Sequence, residues 1–326
     1  MYGDKELNSS QNAELAIETN GLVKKYGEDV LAVDGINLSI PTNSIYALLG
    51  PNGAGKTTTI AMLTTLFEPT SGTAKVANFD VVNQAMKVRR RIGVTFQEMV
   101  LDLDLTGRQV LDYHGRLYGM KKKERQEKIA EFLALVELEK AADRLVRTYS
   151  GGMKRRLELV RALMNTPSIL FLDEPTLGLD PQTRNLIWQY IQKLKQEKGM
   201  TLLLTTHYMD EAEQLADKVA IIDHGKIVVE GTPQALIEKM GADVIRINGK
   251  GEKDQFINQI KALPYVQVVN LGEDEIQIGV DNGNRRLVEL ISLANKVKFD
   301  IEEVSITKPN LDEVFFQHTG RSLRAE

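Results

Sequence analysis

The sequence is 326 residues long, with 42% hydrophobic and 26% charged residues, so it predicts a folded chain with room for two domains rather than a disordered one. The net charge of −4 argues against nucleic acid as the main partner, and the lack of cysteine excludes disulfides and thiolate metal sites. No apolar run approaches the length of a membrane span and the first residues do not fit a signal peptide, so we expect any membrane role to come through a partner.

The first forty residues predict a tail followed by two strands. Residues 1–16 are polar and predict a loose N-terminal tail. Apolar and polar residues then alternate over residues 17–40, which predicts an antiparallel edge sheet. Tyr26 lies at the turn between the two strands, where an aromatic ring can stack on adenine. Ordinary packing of a half-buried tyrosine is the equally good alternative.

The stretch from Gly50 to Thr58 reads GPNGAGKTT and fits the P-loop pattern G-x-x-x-x-G-K-[ST]. Residues 45–49 predict a buried parallel strand before it, and residues 57–67 predict a helix after it. Glycines at positions 50, 53 and 55 permit positive φ, so that backbone N–H groups can face a polyphosphate at the start of the helix. We expect Lys56 to reach the β- and γ-phosphates and Thr57 to bind Mg²⁺. A chance glycine turn is the alternative, against which the flanking strand and helix argue.

The middle of the chain changes from strands to helices. Residues 74–79 and 92–96 predict two further strands, and Gln97 ends the second of them. A glutamine there can touch Mg²⁺ or an attacking water, although a plain surface residue is the commoner explanation. Residues 98–166 predict a helical insertion, with apolar residues at helical spacing around Val110 and Ile129.

A second anion-binding helix start is predicted at Ser150-Gly151-Gly152. Ser150 suits an N-cap, and Met153, Leu157 and Val160 recur along one helix face. Two glycines in a first helical turn are unfavourable by propensity unless a backbone or a phosphate must approach closely. A simple loop-to-helix junction is the alternative.

Acidic residues follow the next buried strand, over residues 168–172. Asp173 and Glu174 end that strand, where open α/β sheets place ligand chemistry. Because adjacent strand side chains point in opposite directions, we assign Asp173 to Mg²⁺ and Glu174 to the attacking water. A tight turn over residues 175–181 precedes another helix. His207 follows the strand over residues 201–205 and can hydrogen-bond a γ-phosphate, although a lone histidine is usually structural.

The composition shifts after residue 240. Before that point, residues 219–230 predict a hairpin. After it, strand and helix patterns follow in the order β-α-β-β-α-β-α over residues 241–326. This order predicts a small split-βαβ, ferredoxin-like domain in which we find no catalytic constellation.

Six short motifs in this order resemble the ATP-binding-cassette (ABC) ATPase domain over roughly residues 16–240. They are Gly50 to Thr58, Gln97, Ser150 to Gly152, Asp173-Glu174, Gly178 to Asp180 and His207. The ending, Asn310 to Phe316 with Thr319 to Leu323, is similar to the drug-resistance and ABC-2-type exporter branch, of which the daunorubicin-resistance ATPases are an example. The chain departs from the family at Met153, where glutamine is common, and at Tyr149, where leucine is common.

The resemblance implies a fold, a site and partners. The fold is α/β: a P-loop NTPase cassette at 17–240 with a mixed sheet core, an antiparallel edge sheet and a helical subdomain at about 98–166, followed by the accessory domain at 241–326. Glu174 is the general base, His207 the switch histidine, Gln97 the Q-loop residue and Asp180 part of the D-loop. Residues assigned to ATP are Tyr26, Gly50, Pro51, Asn52, Gly53, Ala54, Gly55, Lys56, Thr57, Thr58, Ser150, Gly151 and Gly152. Those assigned to Mg²⁺ are Thr57, Gln97 and Asp173.

Family resemblance further implies that two cassettes, expected to be identical, pack head to tail and work with a transmembrane permease. We therefore predict an ATPase subunit of an ABC exporter of drugs or other hydrophobic substrates, cytoplasmic and peripheral on the inner face of the membrane, with no nucleic acid partner. The alternative is a soluble ABC ATPase acting on ribosomes or DNA, which usually carries two cassettes or a long coiled coil. Two further alternatives are a binding module without turnover, against which the intact Glu174 argues, and a P-loop kinase or GTPase, which has no use for the Ser150 helix start.

Overall fold

The computed structural model describes residues 14–27, 29–272 and 275–320. Residues 1–13 of the tail predicted over residues 1–16, and the end of the C-terminal motif at 321–323, lie outside these residues. The first part of the chain contains the following elements: β1 (Leu15–Tyr26), β2 (Val30–Pro41), β3 (Ile45–Leu49), α1 (Lys56–Leu63), β4 (Ser71–Val76), β5 (Phe79–Asp80), α2 (Ala85–Arg89), β6 (Ile92–Thr95), α3 (Gly107–Leu117), α4 (Lys122–Leu135), α5 (Gly151–Leu163), β7 (Ile169–Asp173), α6 (Pro181–Lys198) and β8 (Thr201–Thr206).

The remaining elements follow without long connections. They are α7 (Met209–Leu215), β9 (Lys218–Asp223), β10 (Lys226–Gly231), α8 (Pro233–Glu238), β11 (Asp243–Gly251), α9 (Lys253–Lys261), β12 (Val266–Leu271), β13 (Glu275–Val280), α10 (Gly283–Lys296), β14 (Phe299–Thr307) and α11 (Leu311–Thr319).

A six-stranded sheet in the order β10-β9-β3-β8-β7-β6 forms the centre of the cassette. All neighbouring pairs are parallel except β9 and β10, which form the predicted hairpin. Strand β3 is fully buried, and its alternate side chains join two separate apolar cores on the two faces of the sheet. Because the strands are parallel, the ends of β3, β7 and β8 meet at one edge of the sheet.

The two faces of the central sheet are covered differently. One face packs against an antiparallel sheet in the order β2-β1-β4-β5 together with α1. The other face packs against the helices of the insertion, α3 to α5, and against α6 and α7. The fold class predicted from the sequence, a mixed sheet with an antiparallel edge sheet and a helical insertion, is confirmed.

The C-terminal part forms an antiparallel sheet in the order β12-β13-β11-β14. This is the ferredoxin-like order that the β-α-β-β-α-β pattern predicts. Helices α9 and α10 pack on one face of the sheet. The last helix, α11, turns back onto the cassette, where Leu311, Val314 and Phe315 share a core with Leu215 and Leu236. The division at residue 240 into independently folding parts stays a prediction.

Three local predictions differ from the structure in their details. The helix after the P-loop ends at Leu63, not at residue 67, because Thr65 adopts a left-handed φ of 65° that α-helix does not allow. The strand predicted over residues 74–79 is interrupted at Ala77 and Asn78, which form a turn with positive φ between β4 and β5. The first strand begins at Leu15, two residues before the predicted start of the cassette.

Candidate active site

The loop between β3 and α1 has the backbone that its glycines suggest. Gly53 and Gly55 adopt φ of 77° and 104°, which side chains with a Cβ rarely tolerate. Gly50 does not adopt positive φ, contrary to the sequence argument. It is required for a different reason, because a Cβ there would lie 2.2 Å from the carbonyl oxygen of Ile222.

Lys56 begins α1 and is buried. Its Nζ donates to the carbonyls of Gly50, at 2.7 Å, and Pro51, at 3.0 Å, and lies 3.3 Å from Oε1 of Glu174. Two carbonyl oxygens and a carboxylate oxygen thus hold the ammonium group at the mouth of the loop. Phosphate oxygens can take the place of these partners, because they offer the same charge-assisted hydrogen bonds.

Asp173 is fully buried at the end of β7 and lies beside the predicted Mg²⁺ ligand Thr57. Its Oδ1 accepts hydrogen bonds from the hydroxyls of Thr57, at 3.2 Å, and Thr205. Burial raises the pKa of Asp173 against the effect of these hydrogen bonds, and its buried Oδ2 has no hydrogen-bond partner. An unpartnered carboxylate oxygen beside a hydroxyl fits the oxygen ligands that Mg²⁺ prefers.

Within the described part of the chain, no group of three or more acidic or histidine side chains is arranged to hold a metal ion. A cation bound between Thr57 and Asp173 would therefore need further ligands from phosphate or water, as is usual for Mg²⁺ in nucleotide sites.

Glu174 is buried between Lys56 and His207. Nδ1 of His207 lies 3.3 Å from Oε2 of Glu174, a contact that falls short of a well-formed hydrogen bond. Burial opposes ionisation of Glu174, but the neighbouring His207 and the charge on Lys56 outweigh it and lower the pKa of this carboxyl. Glu174 is therefore an anion at neutral pH, which is the state that a proton acceptor needs. Its φ of 47° turns the backbone sharply as the chain leaves the sheet.

The structure does not bring every predicted residue into this cluster. Gln97 is exposed in the segment after β6 and makes no side-chain hydrogen bond among the residues described. Tyr26 ends β1 with 38% of its surface exposed, and its ring packs edge-on against Phe67 with centroids 6.1 Å apart. Lys24 Nζ lies 5.3 Å from the Tyr26 centroid. Tyr26 thus has ordinary packing on one side and solvent on the other, so its assignment to adenine stays a prediction.

The start of α5 behaves as an N-cap with an open face. The Ser150 hydroxyl accepts from the backbone N–H of Met153 at 3.3 Å. A Cβ at Gly151 would meet nothing within 4 Å, whereas one at Gly152 would lie 2.6 Å from Thr183. Gly152 is therefore explained by the close approach of α6, while exposed Gly151 leaves backbone N–H groups free for a ligand from outside.

Asp180 caps the neighbouring helix, α6. Its carboxylate accepts from the backbone N–H of Thr183 at 2.9 Å and from the Thr183 hydroxyl at 2.6 Å. The two hydrogen bonds from Thr183 lower the pKa of the exposed Asp180. Since Thr183 also packs against Gly152, the starts of α5 and α6 form one surface.

The departures from the family pattern have local explanations. Tyr149 is buried, and its hydroxyl donates to the carbonyl of Ala141 at 2.7 Å, so it anchors the end of the insertion. Met153 packs against the large apolar core on its side of the sheet. With both residues in place, Ser150 still caps α5 through the backbone N–H of Met153.

Sequence reasoning missed three buried polar residues around the site. The Thr205 hydroxyl donates to Asp173 and accepts from the backbone N–H of Glu174 at 3.0 Å. Glu211 is fully buried and accepts from Thr176 at 2.8 Å and from the Trp188 indole at 2.9 Å. Arg155 contacts the backbone around Asp173 and Glu174. The available signal for Thr205 was a pair of threonines at the end of an apolar run that precedes His207.

Comparisons with known proteins agree with this geometry. The ABC transporter family model matches residues 33–177. The chain is 42% identical to the daunorubicin/doxorubicin resistance ATP-binding protein DrrA of Streptomyces peucetius, over 94% of this chain and 92% of that protein. It is 36% identical to the linearmycin resistance ATP-binding protein LnrL of Bacillus subtilis, over 94% and 99%. It is 39% identical to the Nod factor export ATP-binding protein I of Sinorhizobium fredii, over 98% and 90%.

Solved structures show the same similarity. The dimeric post-hydrolysis state of the ATP-binding cassette MJ0796 bound to ADP and Pi superposes with a TM-score of 0.61 at 29% identity, covering 66% of this chain and 98% of that one. The structure of cbiO1 from Clostridium perfringens, part of the ABC transporter complex cbiONQ, superposes with a TM-score of 0.64 at 25% identity, covering 77% and 96%.

Proposed function

Because this chain belongs to the family of ABC transporter ATP-binding proteins, we propose that it is the ATP-hydrolysing subunit of an exporter whose membrane permease is a separate chain. The observation that carries the proposal is the meeting of Lys56, Glu174 and His207 at the ends of β3, β7 and β8. Lys56 is buried at the start of the helix that follows the P-loop, and the Glu174 carboxylate and His207 lie beside it. This combination suits transfer of a γ-phosphoryl group to water.

The reaction divides among this chain's own residues. The N–H groups of residues 52, 53 and 55–58 and the Lys56 ammonium bind and orient the triphosphate. Glu174 accepts a proton from the attacking water, and His207 beside it stabilises charge on the γ-phosphoryl oxygens. Thr57 and Asp173 would hold Mg²⁺, which neutralises phosphate charge when it is bound.

We further propose that the complete site needs a second copy of the chain. Ser150 and Gly151 are exposed, and the N–H groups at this helix start suit the γ-phosphate held by a partner's P-loop. The dimeric form of the cassette MJ0796 with ADP and Pi supports a pair of cassettes. ATP binding closes the pair and hydrolysis reopens it.

Relatives named for drug resistance and for Nod factor export support an export role. Among the described residues, no helix has the length and apolarity needed to cross a bilayer. The permease would dock in a surface groove of about 430 Å³ between β6 and α3, which is lined by Leu66, Phe96 and Tyr118 together with Arg89 and Arg161. Leu66 and Tyr118 expose 58% and 43% of their surfaces there. We propose that the subunit lies on the cytoplasmic face of the membrane.

Two measurements test the proposal. The purified full chain should release phosphate from ATP in the presence of Mg²⁺, and the affinity-tagged chain should co-purify with a polytopic protein from detergent extracts. Absence of hydrolysis both alone and in that complex would refute the enzymatic role. Co-purification with ribosomes or a DNA-repair factor, and with no membrane protein, would favour the soluble alternative.

A further inference from the structure

Arg155 lies in the first turns of α5, and every donor of its guanidinium group is hydrogen-bonded inside the protein. The side chain is buried, with 6% of the residue exposed. Its donors make five hydrogen bonds of 2.7 to 3.1 Å, to the carbonyls of Pro175, Phe96, Asp173 and Glu174 and to the carboxylate of Glu158. A guanidinium group has five N–H donors in a planar fork. Every one of them therefore has an acceptor.

Three of these acceptors are consecutive carbonyls at the end of β7. The backbone leaves the sheet there through the left-handed conformation of Glu174, so strand pairing no longer satisfies these carbonyls. A buried carbonyl without a donor is unfavourable. Arg155 donates to all three carbonyls, alongside the backbone N–H of Leu177, which donates to the Glu174 carbonyl at 3.2 Å. It thereby stabilises the turn that presents the Glu174 side chain to Lys56 and His207.

The same side chain fastens the segment that contains Gln97. Arg155 bonds the carbonyl of Phe96, and its partner Glu158 accepts from the backbone N–H of Val100 at 2.9 Å. Glu158 is fully buried. Both flanks of Gln97 are thus tied to α5 through one buried pair.

We propose that Arg155 is a positioning residue that sets the backbone of Glu174 and the segment around Gln97 in register with the helix that begins at Ser150. This inference rests on the proposed function, in which α5 closes over a partner's nucleotide. A shift of α5 on closure then reaches the proton acceptor directly, because a single rigid side chain joins them. The geometry of the fork matters more than its charge, so lysine, with three donors on one nitrogen, cannot replace it.

The test compares Arg155→Lys with Arg156→Lys in the full chain. Arg156 is the next residue on α5, but it donates to the carbonyl of Val136, away from the site. We expect Arg155→Lys to lower kcat by about 10- to 100-fold while calorimetric affinity for ATP stays within about twofold of wild type, since the P-loop is untouched. The Arg156→Lys control should keep kcat. Equal kcat in Arg155→Lys and wild type would overturn the inference, as would a loss of ATP affinity equal to the loss of kcat.

A double-mutant cycle separates positioning from general damage. If Arg155 acts through Glu174, then Arg155→Lys should cause little further loss of hydrolysis in a Glu174→Gln background. If the fold-losses of the two single variants multiply in the double variant, Arg155 and Glu174 act independently and the inference is overturned. If thermal unfolding shows that Arg155→Lys does not fold, Glu158→Gln replaces it in the same cycle. Glu158→Gln alters one of the five acceptors of the Arg155 guanidinium group. Unchanged kcat in Glu158→Gln would then overturn the inference. Wild-type hydrolysis and its loss in Glu174→Gln test the proposed function separately.

Discussion

Replacing Glu174 with glutamine separates the two roles that the structure gives this carboxylate. As proton acceptor, it should contribute about 10²- to 10⁴-fold to the rate, which is roughly 3 to 5 kcal/mol of barrier height. As an ion-pair partner of Lys56, Glu174 also competes with the phosphates of ATP for the Lys56 ammonium group. Glutamine fits the same space and leaves Thr205 bonded to the backbone at this position.

The contact between Lys56 and Glu174 sets the expected effect on binding. At 3.3 Å, a unit charge pair in a medium with an effective dielectric constant near 20 attracts by about 5 kcal/mol. Desolvation of the two buried groups offsets most of that attraction. If a net attraction of about 1 kcal/mol remains, removing the Glu174 charge would tighten ATP binding by roughly fivefold.

The assay pairs phosphate release at saturating ATP and Mg²⁺ with calorimetric titration of ATP. Glu174→Gln should lose at least about 99% of turnover, bind ATP as tightly as wild type or more tightly, and elute as a dimer when ATP is present. Glu131→Gln is a suitable control, because Glu131 is half-exposed and its ion pair among the described residues is with Lys198, outside the nucleotide site. Normal turnover in Glu174→Gln would refute the assignment of the base. Weaker ATP binding would refute the argument that Glu174 competes for Lys56.

Three further predictions test other parts of the molecule. Lys56→Ala should weaken ATP binding by about 10- to 100-fold, because charge-assisted hydrogen bonds are lost; unchanged calorimetric affinity would contradict the P-loop assignment. Burial and a nearby arginine charge lower the pKa of His114 to about 4, so the unfolded chain binds a proton that the folded chain does not between about pH 6.5 and pH 4, and stability should fall as the pH falls through that window. Because His114 is partly exposed, we discount the total loss to about 1 to 2 kcal/mol; thermal unfolding of His114→Gln should show a weaker pH dependence than wild type. Glu211→Ala should lower the free energy of unfolding by about 2 to 4 kcal/mol, because a hydroxyl and an indole N–H lose their acceptor, whereas Glu211→Gln should cost less than about 1 kcal/mol; equal losses by denaturant titration would contradict this reasoning.

Local chemistry made the nucleotide loop predictable from the sequence alone. The loop requires positive φ at Gly53 and Gly55, Lys56 lies at the start of a helix, and residues 45–49 form a strand that is buried on both faces. Each requirement concerns residues that are neighbours in the chain. The same is true of the cap at Ser150 and of the strand ends at Asp173 and His207. Parallel strands then bring those ends together at one edge of the sheet.

Contacts between distant parts of the chain decided the rest. Nothing in the sequence pattern singles out Arg155, yet the fold buries it against carbonyls 18 to 20 and 59 residues away. Gly50 is fixed by the carbonyl of Ile222, which no local pattern reveals. Sequence patterns report which side chains avoid water, but a backbone carbonyl carries no sequence signal. Only the tertiary structure shows where a turned strand end leaves carbonyls in need of a donor.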